Sequence, residues 1–403
     1  MRLSLLEILE ATGGGEVGGT QVGETFSTFH TDSREVRSGG VFFALSGSEK
    51  DGHQFVGDAI ARGAAAVVVD HKTEIPTGIV EVLVPDTWKA LYAVASHALR
   101  RVQPLVVAVT GSNGKTSTKE MVAAILSRHF SLAALARPVI GVVTNVGVVH
   151  LEFFNSREEL ARAKGELVAA LPAEGLAVLN ADNEFFPLLA QMTSARVTSF
   201  GQERGDYRVE GYEALSGGGS QFSVGGVAVR LSLDGRHQAV NAAAALAACE
   251  FAGVSLAAGA EALAEVQIEH RLQEVSTRAG YTIIDDAYNA SPESMLAAFD
   301  TMADAPKRGR LLAVLGEMRE LGALSADAHR RVGLRAAEVF DAVCVIQGDH
   351  AREMAEAAGA EVVPDRAAAG EWVRRTAAPG DRVLVKASHG VKLDELVKEL
   401  SAS

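Results

Sequence analysis

Cysteine, aromatic side chains and positive charge are all scarce in this chain. Its two cysteines, Cys249 and Cys344, sit in apolar helix-like and strand-like settings, so buried free thiols are expected and neither a disulfide framework nor a metal site. No apolar run reaches the roughly 18 residues that a membrane span needs. Glu7 and Glu10 interrupt the leucines of Met1 to Gly13, which reads as an amphipathic helix instead of a signal peptide and implies a cytoplasmic protein. Lysine and arginine total 38 against 51 acidic residues, a net charge of −13. That balance argues against nucleic acid as a partner and leaves any anionic ligand to local positive groups. Internal repeats and low-complexity segments are absent as well.

What is present is 403 residues, 48% of them apolar, enough for two or three domains each with its own core. Short apolar runs alternate with helical patterns along the chain, the rhythm of a three-domain α/β protein with mostly parallel, doubly wound sheets. VFFAL (41 to 45), a polar loop, a helix over Val56 to Arg62 and AAAVVVD form a small first module. Asp86 reads as the N-cap of a connecting helix with Trp88, Leu91, Val94 and Leu99 at helical spacing, ending before Pro104. The boundaries expected are a first domain over 1–85, a linker helix over 86–103, a central domain over 104–268 and a C-terminal domain over 269–403. Within the central domain VIGVVTNVGVV, GLAVLNAD and ARVTSF read as strands, residues 205 to 236 as a glycine-rich hairpin excursion, and Gln238 to Ala252 as a helix. GYTIIDDAY, RLLAVLGEM, AVCVIQGD and DRVLVKAS read as strands of the third domain, with polar residues at the ends where open α/β sheets bind ligands.

The most informative stretch is VVAVTGSNGKTSTKE, from Val106 to Glu120. An apolar strand runs into Thr110-Gly111-Ser112-Asn113-Gly114-Lys115-Thr116-Ser117, and a helical pattern begins at once. Glycines 111 and 114 free the backbone for positive φ and let amide N–H groups approach an anion, while the helix start adds its partial positive charge. Lys115 is placed to reach terminal phosphates and the Thr116 hydroxyl to complete a Mg²⁺ shell, as in a P-loop, although Val109 stands where the usual first glycine would be.

Other polar residues are ambiguous when read alone. Asn145 and His150 close VVTNVGVVH, and a histidine there suits a metal or a phosphate oxygen as well as an ordinary hydrogen bond. Lys164 is flanked by Ala161, Ala163 and Gly165, so it lies either in solvent or close against backbone. Asn180 and Asp182 are explained by an Asx turn as well as by a ligand. HQAVN (237 to 241) opens a helix and offers either caps or nucleobase contacts. Asp285, Asp286, Tyr288 and Asn289 crowd one strand end and are not expected all to be core, so a ribose hydroxyl or an amine substrate would suit them.

Together these segments resemble the Mur ligases over nearly the whole chain. DSREV (32 to 36), VFFALSG (41 to 47) and DGH (51 to 53) are similar to the family's UDP-binding domain. TGSNGKTSTKEM, NVGVVHLEFF and AKGE are similar to its central domain, and HRLQ, IIDDAYNASPESM, AVLGEMRELG and VLVKAS to its third. IDDAYNASP with GEMRELG points to the branch that adds D-alanyl-D-alanine, and the Asp-Asn-Pro-Arg signature of the diaminopimelate- or lysine-adding branch is absent.

The resemblance implies an ATP-dependent amide ligase that phosphorylates the terminal carboxylate of UDP-N-acetylmuramoyl-tripeptide and couples it to D-alanyl-D-alanine through an acyl phosphate, as a monomer. It assigns Lys115, His150, Lys164 and Arg271 to catalysis, and Thr110 to Ser117, Asn241, Arg271 and Asp286 to ATP. Asn241 would meet adenine, Arg271 the γ-phosphate and Asp286 the ribose. Thr116, His150 and a carbamylated Lys164 would serve Mg²⁺, with Ser33, Arg34, Leu45, Gly47, Asp51, His53, Tyr288, Asn289 and Ser388 binding the other substrates.

One departure from the family pattern is large. Relatives carry, after the phosphate-loop helix, an asparagine-rich loop and a strand ending in Glu-Met-Gly or Glu-Leu-Gly whose glutamate binds Mg²⁺. Here only FSLAALARPVIGVVT separates His129 from Asn145, and no acidic residue occurs from Met121 to His150. Gln238 for asparagine and His389 for arginine are smaller differences. An active ligase and a catalytically impaired nucleotide-binding protein on the same scaffold are therefore both kept. Another Mur-type ligase is a third reading, and the UDP-binding motifs oppose its folylpolyglutamate version.

Overall fold

The computed structural model describes residues 2–16, 25–47, 51–102, 105–128, 138–148, 154, 156–215, 218–268, 271–305 and 309–402. They divide between Val106 and Val107 into two compact units.

The first unit is built on a five-stranded sheet in the order Gly15–Glu16, Val80–Leu83, Ala64–Val69, Gly40–Phe43, Phe29–His30, parallel except at the first pair. Its central strands are buried on both faces, Val41 and Phe43 on one side and Phe42 and Ala44 on the other, as a covered parallel sheet requires. Helix Leu5–Thr12 is fixed by a capping box between Ser4 and Glu7. Helix Thr87–Val102 opens on Asp86, whose carboxylate accepts from the Lys89 N–H at 2.9 Å. It packs Ala90, Val94 and Ala98 into the first unit's core, so this helix is part of that unit. Trp88 turns outward and donates its indole N–H to the Ser46 carbonyl.

The second unit holds two sheets. The central one is wholly parallel, ordered Tyr207–Arg208, Arg196–Gly201, Leu176–Asn180, Ile140–Val143, Val107–Thr110. Helices Lys115–Ser127 and Arg236–Phe251 cover one face, and Arg157–Ala169 and Phe186–Gln191 the other. Helix Arg236–Phe251 is buried on almost every side, which its alanines permit. Among the described residues Val107–Thr110 pairs only with Ile140–Val143, so the strand feeding the phosphate loop is a sheet edge, half-buried along its length. The hairpin excursion is a three-stranded antiparallel sheet, Glu210–Ala214, Ser220–Val224 and Val227–Leu231, with Gly225 and Gly226 at positive φ in its tight turn.

The C-terminal sheet runs Gln273–Ser276, Thr282–Asp285, Arg382–Lys386, Leu311–Leu315, Ala342–Ile346, Glu361–Val363, with only the first pair antiparallel. Cys249 and Cys344 are both free and buried, and burial pushes each thiol up to about 12. No helix among the described residues is long and apolar enough to cross a membrane.

One strand is shorter than its sequence suggests. VIGVVTNVGVV stays in the sheet only for Ile140–Val143. Thr144 and Asn145 leave it because their polar groups hold the phosphate loop, and His150 lies outside the described residues.

Candidate active site

In the second unit a cavity of about 930 Å³ opens between the central and C-terminal sheets, with the phosphate loop on one wall. The loop is held from behind. The Thr144 hydroxyl donates to the Thr110 carbonyl, the Asn145 carbonyl accepts from the Ser112 N–H at 2.9 Å, and its side chain accepts from the Asn113 N–H at 2.8 Å. Gly111 and Gly114 take φ of 146° and 79°. A Cβ at Gly111 would overlap the Thr144 hydroxyl, and one at Gly114 would lie 2.4 Å from Asn241 Oδ1, so conformation and space both demand glycine. Lys115 folds back to donate to the Gly111 and Ser112 carbonyls at 2.6 and 3.0 Å. Burial, with the Lys164 and Arg271 charges nearby, pulls its ammonium down to about 8. Burial also lowers Lys164. Lys115 thus stands at a helix start, in the field of two further cations, and Arg271 lines the same cavity while Lys164 is outside its lining.

Asn241 faces the loop from helix Arg236–Phe251, and its amide donates to Gln238 Oε1 at 3.1 Å, so the glutamine orients the residue expected to meet adenine. The Arg271 guanidinium lies over the Tyr288 ring at 4.4 Å, and its Nε is buried without a partner. Thr116, Asn241, Arg271, Asp286, Tyr288 and Asn289 all line the cavity.

The strand-end cluster divides: Asp285 and Asp286 are both buried, whereas Tyr288 and Asn289 are exposed, so the four are not all core. Asp285 accepts from the Ala287 N–H in an Asx turn, and Asp286 pairs with buried Lys386 at 2.6 Å. Lys386 also donates to the Asn289 carbonyl at 2.9 Å, which shapes the turn carrying Tyr288. His237 lies in the field of this pair, and burial lowers it to about 4, so it stays neutral. Asn180 and Asp182 have local work: Asn180 accepts from the Asp182 N–H, and Asp182 accepts from the amides of Gln202, Glu203 and Arg204. Ser388 lies outside the cavity lining, accepting from the Arg319 N–H and donating to the Ala290 carbonyl.

Two residues not singled out from the sequence complete the junction. The Ser291 hydroxyl donates to Asn113 Oδ1 at 3.0 Å, and Glu293 Oε1 accepts from the Val148 N–H at 3.3 Å. Ser291 caps helix Pro292–Asp304, and its Ser-Pro-Glu-Ser sequence is a helix-start signal that says nothing of a contact across domains.

For Mg²⁺, Thr116 lines the phosphate end of the cavity, and among the described residues no cluster of three acidic or imidazole donors is found there.

In the first unit the loop after strand Gly40–Phe43 is closed by a bridge between Ser46 and Asp51 and by the Gly52 N–H donating to the Leu45 carbonyl. His53 Nδ1 lies 2.6 Å from Asp51, its Nε2 accepts from the Asp70 N–H, and its ring stacks on His71. Ser33 is buried, whereas Arg34 is exposed and pairs with Asp32. Asp70, His71 and Trp88 join Leu45, Gly47, Asp51 and His53 around this loop without having been predicted there.

Comparison with known proteins follows the same order along the chain. Family models for the Mur ligase catalytic domain, middle domain and glutamate ligase domain match residues 26–130, 130–249 and 270–389. A UDP-N-acetylmuramoyl-tripeptide–D-alanyl-D-alanine ligase of Synechocystis is 33% identical over 92% of this chain and 91% of its own length. The Escherichia coli ligase of that name is 31% identical over 96% of each chain. The crystal structure of MurF from Acinetobacter baumannii superposes with a TM-score of 0.88 at 26% identity, covering 100% of this chain and 99% of its own. MurF from Thermotoga maritima in complex with ADP gives 0.80 at 26% identity, over 93% and 97%. The Synechocystis match spans 425 aligned positions, more than the 403 residues here, so that relative carries insertions this chain lacks. With three consecutive domain models and near full-length relatives agreeing with the phosphate loop and its facing domain, the chain belongs to the Mur ligase family.

Proposed function

We propose that this protein joins D-alanyl-D-alanine to UDP-N-acetylmuramoyl-tripeptide at the expense of ATP, in cytoplasmic synthesis of peptidoglycan precursor. The observation that carries this reading is the phosphate loop with Lys115 lining a cavity whose other wall, with Arg271, Asp286 and Tyr288, comes from the C-terminal domain. A tripeptide carboxylate oxygen attacks the γ-phosphorus and ADP departs, giving an acyl phosphate. The amine of D-alanyl-D-alanine then attacks the acyl carbon, and the C–O bond to phosphate breaks as the amide forms. Activation turns a poor leaving group into a good one, and fixed cations offset charge on the transferred group without reorganising.

Lys115 and Arg271 serve the phosphates, Asn241 the adenine and Asp286 the ribose. Bound Mg²⁺ would be held by Thr116, with His150 and carbamylated Lys164 at a second position, and would neutralise phosphate charge. Burial favours the neutral Lys164 amine, the form that adds CO₂. Ser33, Arg34, Leu45, Gly47, Asp51 and His53 take the uridine diphosphate. Phosphate release with UDP-muramoyl tripeptide, compared with and without D-alanyl-D-alanine, tests the reading.

The edge position of Val107–Thr110 and the shortened segment after the phosphate-loop helix favour a second reading, a nucleotide-binding protein whose ligation is impaired. Binding of UDP-linked substrate and ATP without amide formation would identify it.

A further inference from the structure

Glu293 is placed on the cavity wall in a manner the assigned roles do not use. Its Oε1 accepts from the Val148 N–H, while its Oε2 is buried with no hydrogen-bond partner. The other carboxylates that line the cavity are engaged: Asp286 with Lys386, Asp182 with three amides, Glu274 with Arg382, Asp300 with Arg335, Asp304 with Arg236, and Asp234 with the Gly219 N–H. Among the described residues no cation pairs with Glu293. A buried carboxylate oxygen without a partner is costly, and since Glu293 lines the cavity, a cationic donor from the substrate would match it.

The surroundings specify which cation. Glu293 packs against Gly147, where a Cβ would come within 3.0 Å of Oε1, and the Gly147 N–H donates to the Ser112 hydroxyl. Ser291, two residues earlier, is anchored on Asn113, whose Nδ2 is likewise buried without a partner. The carboxylate thus stands by the first residues of the loop, on the C-terminal domain, and the neighbouring amide offers a donor for a carbonyl oxygen of the same ligand. An α-ammonium beside a carbonyl is the amino end of a dipeptide.

We infer that Glu293 holds the ammonium of the incoming dipeptide and takes its proton as it becomes a nucleophile. One proton passes from nitrogen to Oε2, and the freed lone pair forms the C–N bond to the acyl carbon. The C–O bond to phosphate breaks with its electron pair on phosphate, which takes the second nitrogen proton. This inference rests on the ligase reading.

The test uses the full chain with UDP-muramoyl tripeptide and a non-hydrolysable ATP analogue. Binding of D-alanyl-D-alanine and of N-propionyl-D-alanine, which lacks only the amine, is measured by calorimetry for wild type and Glu293→Gln. The glutamine keeps an acceptor for the Val148 N–H. The dipeptide should lose about 10- to 100-fold in affinity, the range of a hydrogen bond to a charged group, and the des-amino analogue should be unaffected. Equal losses for both probes, or unchanged dipeptide binding with weaker Mn²⁺ binding by electron paramagnetic resonance, overturn the inference. Acyl phosphate trapped with hydroxylamine in the absence of dipeptide reports on the ligase reading separately. Its formation in both proteins is expected, and its absence in wild type overturns that reading and this inference with it.

Discussion

Lys386 Nζ lies 2.6 Å from Asp286 Oδ2, with both side chains closed to solvent. Burial lowers the lysine from its ordinary value and Asp286 opposes that shift, while the Asn289 carbonyl accepts a further hydrogen bond from the ammonium. Lys386→Met leaves Asp286 a buried charge with no counterion. Unfolding by urea should show a loss of about 3–5 kcal/mol, the usual result of breaking such a pair, with part restored in Lys386→Met/Asp286→Asn. A loss below about 1 kcal/mol would mean that water reaches the pair.

Lys115 supplies a pH dependence whose sign is fixed. With its ammonium at about 8 before nucleotide arrives, the charged form dominates below that pH and phosphate binds it preferentially. ADP affinity should therefore fall on the order of tenfold per pH unit above about 8, with proton uptake on binding at the alkaline end. Calorimetry in buffers of different ionisation heat measures that uptake. Lys115→Ala should abolish turnover and uptake while remaining folded, and Lys115→Arg should bind ADP without the alkaline decline.

Much of this molecule was legible before any coordinates. Gly-Lys-Thr between an apolar strand and a helical pattern announces a phosphate loop, because few other uses require glycine, lysine and hydroxyl in that order. The parallel sheets follow from apolar runs at βαβ spacing. What stayed hidden are partners distant in sequence. Nothing local tells that Asp286 meets Lys386, that Ser291 reaches Asn113, or that Trp88 turns outward to the Ser46 carbonyl. Edge strands such as Glu361–Val363 are equally silent, being only three residues long and mostly exposed. The strand ending at Val143 was overestimated because its apolar residues continue after Thr144 and Asn145 have turned to the phosphate loop.

The first unit has its own sheet and its own cores, so its ligand site should be separable from ATP. UDP-muramoyl tripeptide should bind Lys115→Ala with affinity close to wild type in a calorimetric titration. Loss of binding in that folded variant contradicts the assignment of the loop around Gly47 and His53.

The shortened segment after Ser127 predicts an unusual demand for metal. A Mg²⁺ site missing one carboxylate ligand loses on the order of 10- to 100-fold in affinity or activity. Ligation should be slow and should saturate only at elevated Mg²⁺. Inserting an asparagine-rich loop and a glutamate-bearing strand between Phe130 and Ala134 should raise the rate and lower the Mg²⁺ requirement. Full speed at ordinary Mg²⁺ in the native chain would show the glutamate to be dispensable or replaced.

The measurement that bears most directly on the whole account is phosphate release from ATP in the presence of UDP-muramoyl tripeptide, with D-alanyl-D-alanine added or withheld, at elevated Mg²⁺. Sustained release that requires both substrates, with one amide formed per phosphate, is the predicted result. Phosphate release indifferent to either substrate, or none with both bound, would contradict it.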